Sequence, residues 1–367
     1  MHKPMCGKRV LISGYYGFQN TGDDGVLSSV IAGLRSAMDD EPTISVLSAV
    51  PEETSAVHDV EAIPRMSVSA VRKAVRDCDL LISGGGSLIQ DATSLQSAIY
   101  YLAILLQAKM FRRKVMVLGQ GIGPLRSGIS RFLTAKALSG IDAITVRDAE
   151  SGDLLRSLGV ERPPVVVTAD PTFLLHPSPK ETVDELLSEV GIGRDEEVIA
   201  VAFRDWPETP RICDALVESL KIMQKRIPAR LMLLTMHTPE DAVTARRIAD
   251  EVGGLAVQPR RWSPEEMLGV VARSRLAVSM RLHTLIFAAS SGVPSVGISY
   301  DPKVRSFQSS VGQDCLTLDE AIAGALPDRV LAAWEGRSSL ACALNENVPK
   351  MRDAAAENIR RAVELLR

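Results

Sequence analysis

Short, almost wholly apolar runs of three to six residues recur along this chain, separated by longer amphipathic segments. In the first half they fall near residues 9–13, 44–47, 79–83, 114–118, 143–146 and 165–167. In the second half they fall near 198–203, 231–235, 255–257, 276–279 and 295–299. Continuous rather than alternating hydrophobicity marks strands buried on both faces of a parallel sheet, and the segments between them supply the helical crossovers. In the second half, helices are predicted near 208–226, 239–252, 264–273 and 281–291. The third of these opens on Pro264-Glu265-Glu266, with proline at its first position. The rhythm breaks at His176-Pro177-Ser178-Pro179, a linker composition, and His176 is read as linker surface. The pattern therefore predicts an α/β protein with two Rossmann-like domains, residues 1–175 and 176–345. A tail, residues 346–367, has Met351, Ala355, Ile359, Ala362, Val363 and Leu366 on one side and is expected to cross back onto the first domain.

Open α/β sheets bind ligands beyond the carboxyl ends of their strands, and the polar residues of interest collect there. The run at 276–279 leads into Met280-Arg281-Leu282-His283-Thr284. Ser279 is expected to cap a helix that starts at Met280 or Arg281 and stops at Gly292. Arg281 and His283 then lie in a first helical turn, where free N–H groups and the dipole favour an anion. The next run delivers Tyr300, Asp301 and Lys303 to the same edge, Arg204-Asp205-Trp206 leaves the run at 198–203, and Arg147 leaves the run at 143–146. His237 follows the run at 231–235 without an obvious partner.

In the first half the strand exits are rich in glycine. The first is Gly14-Tyr15-Tyr16-Gly17-Phe18-Gln19-Asn20-Thr21-Gly22-Asp23-Asp24-Gly25, with a helix expected near Asp23 or Asp24. The others are Gly84-Gly85-Gly86-Ser87-Leu88-Ile89-Gln90-Asp91 and Gly119-Gln120-Gly121-Ile122-Gly123-Pro124. Neither GxGxxG nor a Walker A motif is present, so ordinary dinucleotide and triphosphate sites lose support. Asn20, Asp23, Asp24, Gln90 and Asp91 suit sugar hydroxyls, since carboxylates repel phosphate. Gly85 and Gly86 would let a ligand approach the backbone. A capped strand-to-helix turn is the plainer alternative for the first loop.

Composition narrows the partners. A net charge of −3 and 4% aromatic residues leave nothing for a nucleic-acid surface. Five scattered cysteines (Cys6, Cys78, Cys213, Cys315, Cys342) indicate neither a disulfide framework nor zinc, and fit a cytosolic protein. No secretory signal is read at the N-terminus. The longest apolar segment, residues 95–111, is interrupted by Gln96, Gln107 and Lys109 and falls short of the ~20 residues a membrane span needs. It is read as a buried helix.

Taken in order, these motifs resemble the polysaccharide pyruvyl transferase family, especially its CsaB-type bacterial branch. The matching pieces are the loop from Gly14 to Asp24, Ser83 to Asp91, Gly119 to Pro124, Val146-Arg147-Asp148, Ser279 to His283, and Ser299-Tyr300-Asp301-Pro302-Lys303. The resemblance implies a GT-B-like arrangement of the two domains about a central cleft. It also implies transfer of the pyruvyl group of phosphoenolpyruvate onto two hydroxyls of one sugar, giving a cyclic ketal and phosphate. In that branch the acceptor is N-acetylmannosamine of a lipid-linked secondary cell-wall polymer precursor, and the product anchors S-layer proteins. A cytoplasmic enzyme in peripheral contact with the inner membrane face would follow, with the lipid-linked glycan as partner and phosphoenolpyruvate as co-substrate; no cofactor or metal is required. Arginine forks suit the donor's phosphate and carboxylate, so Arg281, Arg147, Arg204 and Lys303 are its expected ligands. His283 is the expected proton-transfer group. Asn20, Asp23, Asp24, Gly85, Gly86, Gln90 and Asp91 are then expected around the acceptor. The competing readings are a GT-B glycosyltransferase or epimerase using a nucleotide sugar, and a non-catalytic carbohydrate-binding protein.

Overall fold

The computed structural model describes residues 7–92, 94–204 and 210–367. Cys6, Asp205 and Trp206 lie outside the described residues. The chain divides into two compact units, Met1–Leu174 with Met351–Arg367, and Leu175–Lys350.

The first unit is built from β1 (Arg9–Ser13), α1 (Thr21–Ala37), β2 (Thr43–Ser48), α2 (Pro51–His58), β3 (Glu61–Pro64), α3 (Val68–Asp77) and β4 (Leu80–Gly84). It continues with α4 (Leu95–Met110), β5 (Lys114–Gln120), α5 (Gly128–Leu138), β6 (Ala143–Val146), α6 (Ala149–Ser157) and β7 (Val165–Val167). All its strands are parallel, in the order β3-β2-β1-β4-β5-β6-β7. The order reverses between β1 and β4, so the loops after these two strands diverge and open a crevice at the carboxyl edge of the sheet.

The second unit repeats the scheme. After α7 (Lys180–Glu189) come β8 (Val198–Ala202), α8 (Pro210–Arg226), β9 (Arg230–Leu233), α9 (Glu240–Val252), β10 (Ala256–Val257) and α10 (Pro264–Arg273). Then follow β11 (Leu276–Ser279), α11 (Leu282–Ser290), β12 (Ser295–Ser299), α12 (Pro302–Ser310), β13 (Asp314–Thr317), α13 (Leu318–Ile322) and α14 (Leu326–Glu335). The strand order is β10-β9-β8-β11-β12-β13, all parallel, with its switch point between β8 and β11.

The last helix, α15 (Arg337–Leu366), is longer than the tail pattern predicts, and its final turns belong to the first unit. Ile359, Ala362, Val363 and Leu366 are buried in the core formed by α1 and β1. Gly33 on α1 makes that approach possible, because a Cβ there would sit 2.8 Å from Ile359 Cγ1. Asn358 is fully buried and satisfied, accepting from Thr168 Oγ1 (2.9 Å) and donating to the Ala169 carbonyl (2.9 Å). The apolar segment at 95–111 is α4, with Tyr101, Leu102, Ile104 and Leu105 buried, and no described helix is long and apolar enough to cross a membrane.

Candidate active site

In the second unit the predicted residues fall at neighbouring strand ends around the switch point. Arg204 follows β8, Arg281 and His283 follow β11, and Tyr300, Asp301 and Lys303 follow β12. The helix after β11 starts later than the sequence suggests. Ser279 remains in the strand, paired with both β8 and β12, so its hydroxyl does not cap the helix. Instead Ser279 Oγ accepts from the Arg281 N–H at 2.8 Å and donates to the Ala202 carbonyl at 3.1 Å, fastening the bend. Arg281 becomes the N-cap residue and makes no side-chain capping hydrogen bond. The N-terminal amides of α11 therefore have no side-chain acceptor at the cap position, which suits a bound anion. Thr284 Oγ1 and Arg281 Nε are buried there, with no hydrogen-bond partner among the described residues.

A carboxylate missed by the sequence reading organises this edge. Asp241, only 1% exposed, lies in the first turn of α9. Its Oδ1 accepts from Arg281 Nη2, and its Oδ2 accepts from the backbone amides of Met236 (3.0 Å) and His237 (2.9 Å). Arg281 is thus a half-neutralised cation held in one orientation rather than a free fork. His237, without an obvious partner in sequence, has Glu240 Oε2 3.6 Å from its Nδ1. Arg204 is positioned by Tyr300, whose hydroxyl accepts from Arg204 Nη1 at 3.0 Å. Asp301 does not face outward as a free acid, since it caps α12 by accepting from the Lys303 N–H at 3.0 Å.

The first unit holds the remaining predicted residues. Asn20 Oδ1 caps α1, accepting from the amides of Gly22 (3.1 Å) and Asp23 (3.5 Å), so the helix starts at Thr21, ahead of the predicted Asp23 or Asp24. Asp23 and Asp24 lie buried in its first turn, where the dipole favours them. Gly85 and Gly86 are both buried, and their missing side chains leave room for the protein's own helix α1. Gly86 has φ +59°, and a Cβ on it would meet Asp23 Oδ1 at 2.3 Å. Two phenols brace the same loops. Tyr16 donates to the Gly84 carbonyl at 2.9 Å and Tyr101 to the Gly14 carbonyl at 3.2 Å. Burial, followed by the nearby Asp23 carboxylate, pushes the Tyr16 phenol well above its ordinary pKa. Burial likewise pushes the Tyr101 phenol up to about 12.

Arg147 also belongs to this unit. Its buried guanidinium donates Nη1 to Asp170 Oδ2 at 2.8 Å and Nη2 to Ser87 Oγ at 3.2 Å, with Asp148 3.8 Å from Nε. Burial works against its charge, but Asp170 and Asp148 outweigh it and raise the pKa. Asp170, which orients Arg147, was not predicted. Gln90 is half-buried, with Oε1 accepting from the Ala92 amide at 2.7 Å.

Asp91 is heavily engaged by the protein itself. Both carboxylate oxygens accept from the Arg126 amide (2.7 and 2.9 Å), and Oδ2 also takes the Ser127 amide (2.7 Å) and the Ser130 hydroxyl. It ties the loop after β4 to the start of α5. Slight burial opposes ionisation, but the Ser130 hydroxyl and the Arg126 and Ser127 amides hold the pKa below its ordinary 3.8. Asp91→Ala should therefore cost about 1 kcal/mol at neutral pH. A depressed folded-state pKa stabilises fully above the ordinary value and is lost as pH falls through the folded one. Urea unfolding at pH 7 and pH 3 should show the gap between variant and wild type shrinking in acid.

Two doubly wound parallel sheets, each presenting loops at its switch point, define a GT-B-like α/β protein. The chain belongs to the polysaccharide pyruvyl transferase family, whose model matches residues 20–302. The solved structures it resembles share the fold at low identity. The UDP-GlcNAc 2-epimerase from Neisseria meningitidis bound to UDP-GlcNAc has a TM-score of 0.62 at 13% identity, covering 97% of this chain and 100% of that one. The S. aureus MnaA–UDP structure has a TM-score of 0.66 at 12% identity, covering 98% and 97%. A glycosyltransferase from Rickettsia africae has a TM-score of 0.58 at 11% identity, covering 98% and 96%. No curated protein matches the chain significantly by sequence.

Proposed function

We propose that this pyruvyl transferase uses phosphoenolpyruvate and forms a cyclic pyruvate ketal on a sugar. The observation that carries the proposal is the α11 N-terminus, which lacks a side-chain cap and lies at the switch point with Arg281, Arg204 and Lys303 at adjoining strand ends. A donor with phosphate and carboxylate close together matches that set of donors. His283, in the first turn of α11, transfers protons. One sugar hydroxyl adds to the enol carbon while the methylene carbon gains a proton and becomes a methyl group. The second hydroxyl then displaces phosphate, and its proton leaves with the phosphate. Both sugar oxygens end on the former enol carbon.

In this reading, residues 176–345 bind the donor. Residues 1–175 bind the acceptor through Asn20, Asp23, Asp24, Gln90 and Asp91, with Gly85 and Gly86 letting it approach the backbone. Arg147 lies in that first unit with much of its charge already met by Asp170, and its contribution to the donor's charge is part of the proposal. The acceptor is N-acetylmannosamine of a lipid-linked secondary cell-wall polymer precursor, as in the CsaB-type branch, which places the reaction at the cytoplasmic membrane face.

The test is incubation of the pure protein with phosphoenolpyruvate and a synthetic lipid-linked N-acetylmannosaminyl-N-acetylglucosamine. One phosphate released per pyruvyl ketal gained in product mass is expected. Ketal formation on a different sugar would overturn only the acceptor. No reaction and no thermal stabilisation by phosphoenolpyruvate, with stabilisation by a uridine nucleotide instead, would overturn the donor and favour a nucleotide-sugar enzyme.

A further inference from the structure

Between Asp91 and Asp142 the chain runs for fifty residues without an acidic side chain, where its overall density of 45 in 367 would place about six. The same stretch carries seven cations: Lys109, Arg112, Arg113, Lys114, Arg126, Arg131 and Lys136. It forms α4, β5 and α5, and α5 packs beside α4, with Lys109 Nζ donating to the Ser139 carbonyl just past the α5 C-terminus. The acids at either end are already engaged. Asp91 holds the start of α5, and Asp142 takes Lys114 Nζ at 3.4 Å and the Val115 amide at 2.8 Å.

Within this stretch α5 exposes large apolar side chains. Ser130, Thr134, Ala137 and Leu138 are buried, whereas Ile129 is 63% and Phe132 65% exposed. With Lys136 they follow i, i+3, i+7 spacing, one stripe of the helix. Arg126 and Lys136 are exposed at either end of the stripe and Arg131 is half-exposed beside it, while Met110 at the end of α4 is 67% exposed. A solvated helix face has no need of an outward phenylalanine and isoleucine among Arg126, Arg131 and Lys136, which make no ion pair among the described residues.

We propose that the outer face of α5, with the end of α4, is a docking surface for an anionic lipid bilayer. Ile129 and Phe132 enter the boundary between headgroups and acyl chains, while Arg126, Arg131 and Lys136 meet lipid phosphates. Charge selects this occupant over a second copy of the chain. An isologous dimer would set the same cations against one another, and the acids that could relieve them are absent from the stretch. The proposal does not depend on the ketal chemistry, because vesicle binding is read without substrate.

The test is co-sedimentation of the full-length protein with phosphatidylglycerol-containing vesicles and with pure phosphatidylcholine vesicles. The expected result is binding to the anionic vesicles that weakens as salt is raised. Ile129→Ser/Phe132→Ser should reduce partitioning at least tenfold, and Arg126→Gln and Lys136→Gln about fivefold each, all with unchanged thermal unfolding. Equal binding to both vesicle types, no binding, or binding indifferent to these substitutions would overturn it. So would a dimer that dissociates on Ile129→Ser/Phe132→Ser, which would assign the face to a second copy.

Discussion

Replacing His283 with alanine should lower kcat about 10²–10⁴-fold while leaving thermal unfolding nearly unchanged. The imidazole lies in the first turn of α11 and is half-exposed, whereas the residues that anchor this helix, Thr284 through Ser290, are buried. Alanine is also the best helix former, so the backbone has no reason to rearrange. Ketal formation needs a proton delivered to carbon and another removed from an incoming hydroxyl, and imidazole is the side chain whose ordinary pKa lies near neutrality. The loss should fall on kcat more than on KM, because the proposed donor ligands Arg281, Arg204 and Lys303 are untouched. Unchanged turnover in folded His283→Ala protein would remove the proton-transfer role and leave the anion site intact.

The architecture was legible because parallel strands buried on both faces leave continuous apolar runs, and glycine or polar residues end them abruptly. Leu80–Gly84 and Val198–Ala202 are of this kind, buried at every residue. The strands that left no such signal are sheet edges. Glu61–Pro64 and Asp314–Thr317 each pair on one side only, so each carries polar residues where a central strand could not. The strand ends that carry Arg281, His283, Arg204 and Lys303 could be named because position after a strand is itself a sequence feature.

What those side chains touch was not legible. Asp241 belongs to the helix after β9, yet it meets an arginine forty residues later after β11, two strands away in the sheet. That Asp23 and Val26 lie against the triple glycine was likewise not legible, since close approach by a ligand and by the protein's own helix demand the same residue. The backbone amides that Asn20 and Asp91 accept from were not legible either, because carboxylate and amide oxygens take hydrogen bonds from backbone amides as readily as from hydroxyls.

The largest effect on stability should come from Asp241→Ala. The substitution strands the Arg281 guanidinium, whose side chain is 13% exposed, and leaves the Met236 and His237 amides without their acceptor. Removing one partner of a buried ion pair costs roughly 3–5 kcal/mol, because the remaining charge stays desolvated and unpaired. Arg281→Ala should cost less, since Asp241 keeps both backbone donors and remains partly satisfied. The double variant should then be more stable than the sum of the two losses predicts, because removing the second partner relieves the charge stranded by the first. A double-mutant cycle by urea unfolding should give a coupling of roughly 0.5–3 kcal/mol, the range for residues in direct contact. Donor binding by the same variants separates the two duties of the pair. Asp241→Ala frees Arg281 to move and should weaken phosphoenolpyruvate binding although it removes a negative charge from the site. Tighter binding would mean that Asp241 acts on the donor through its charge rather than by holding the arginine in place.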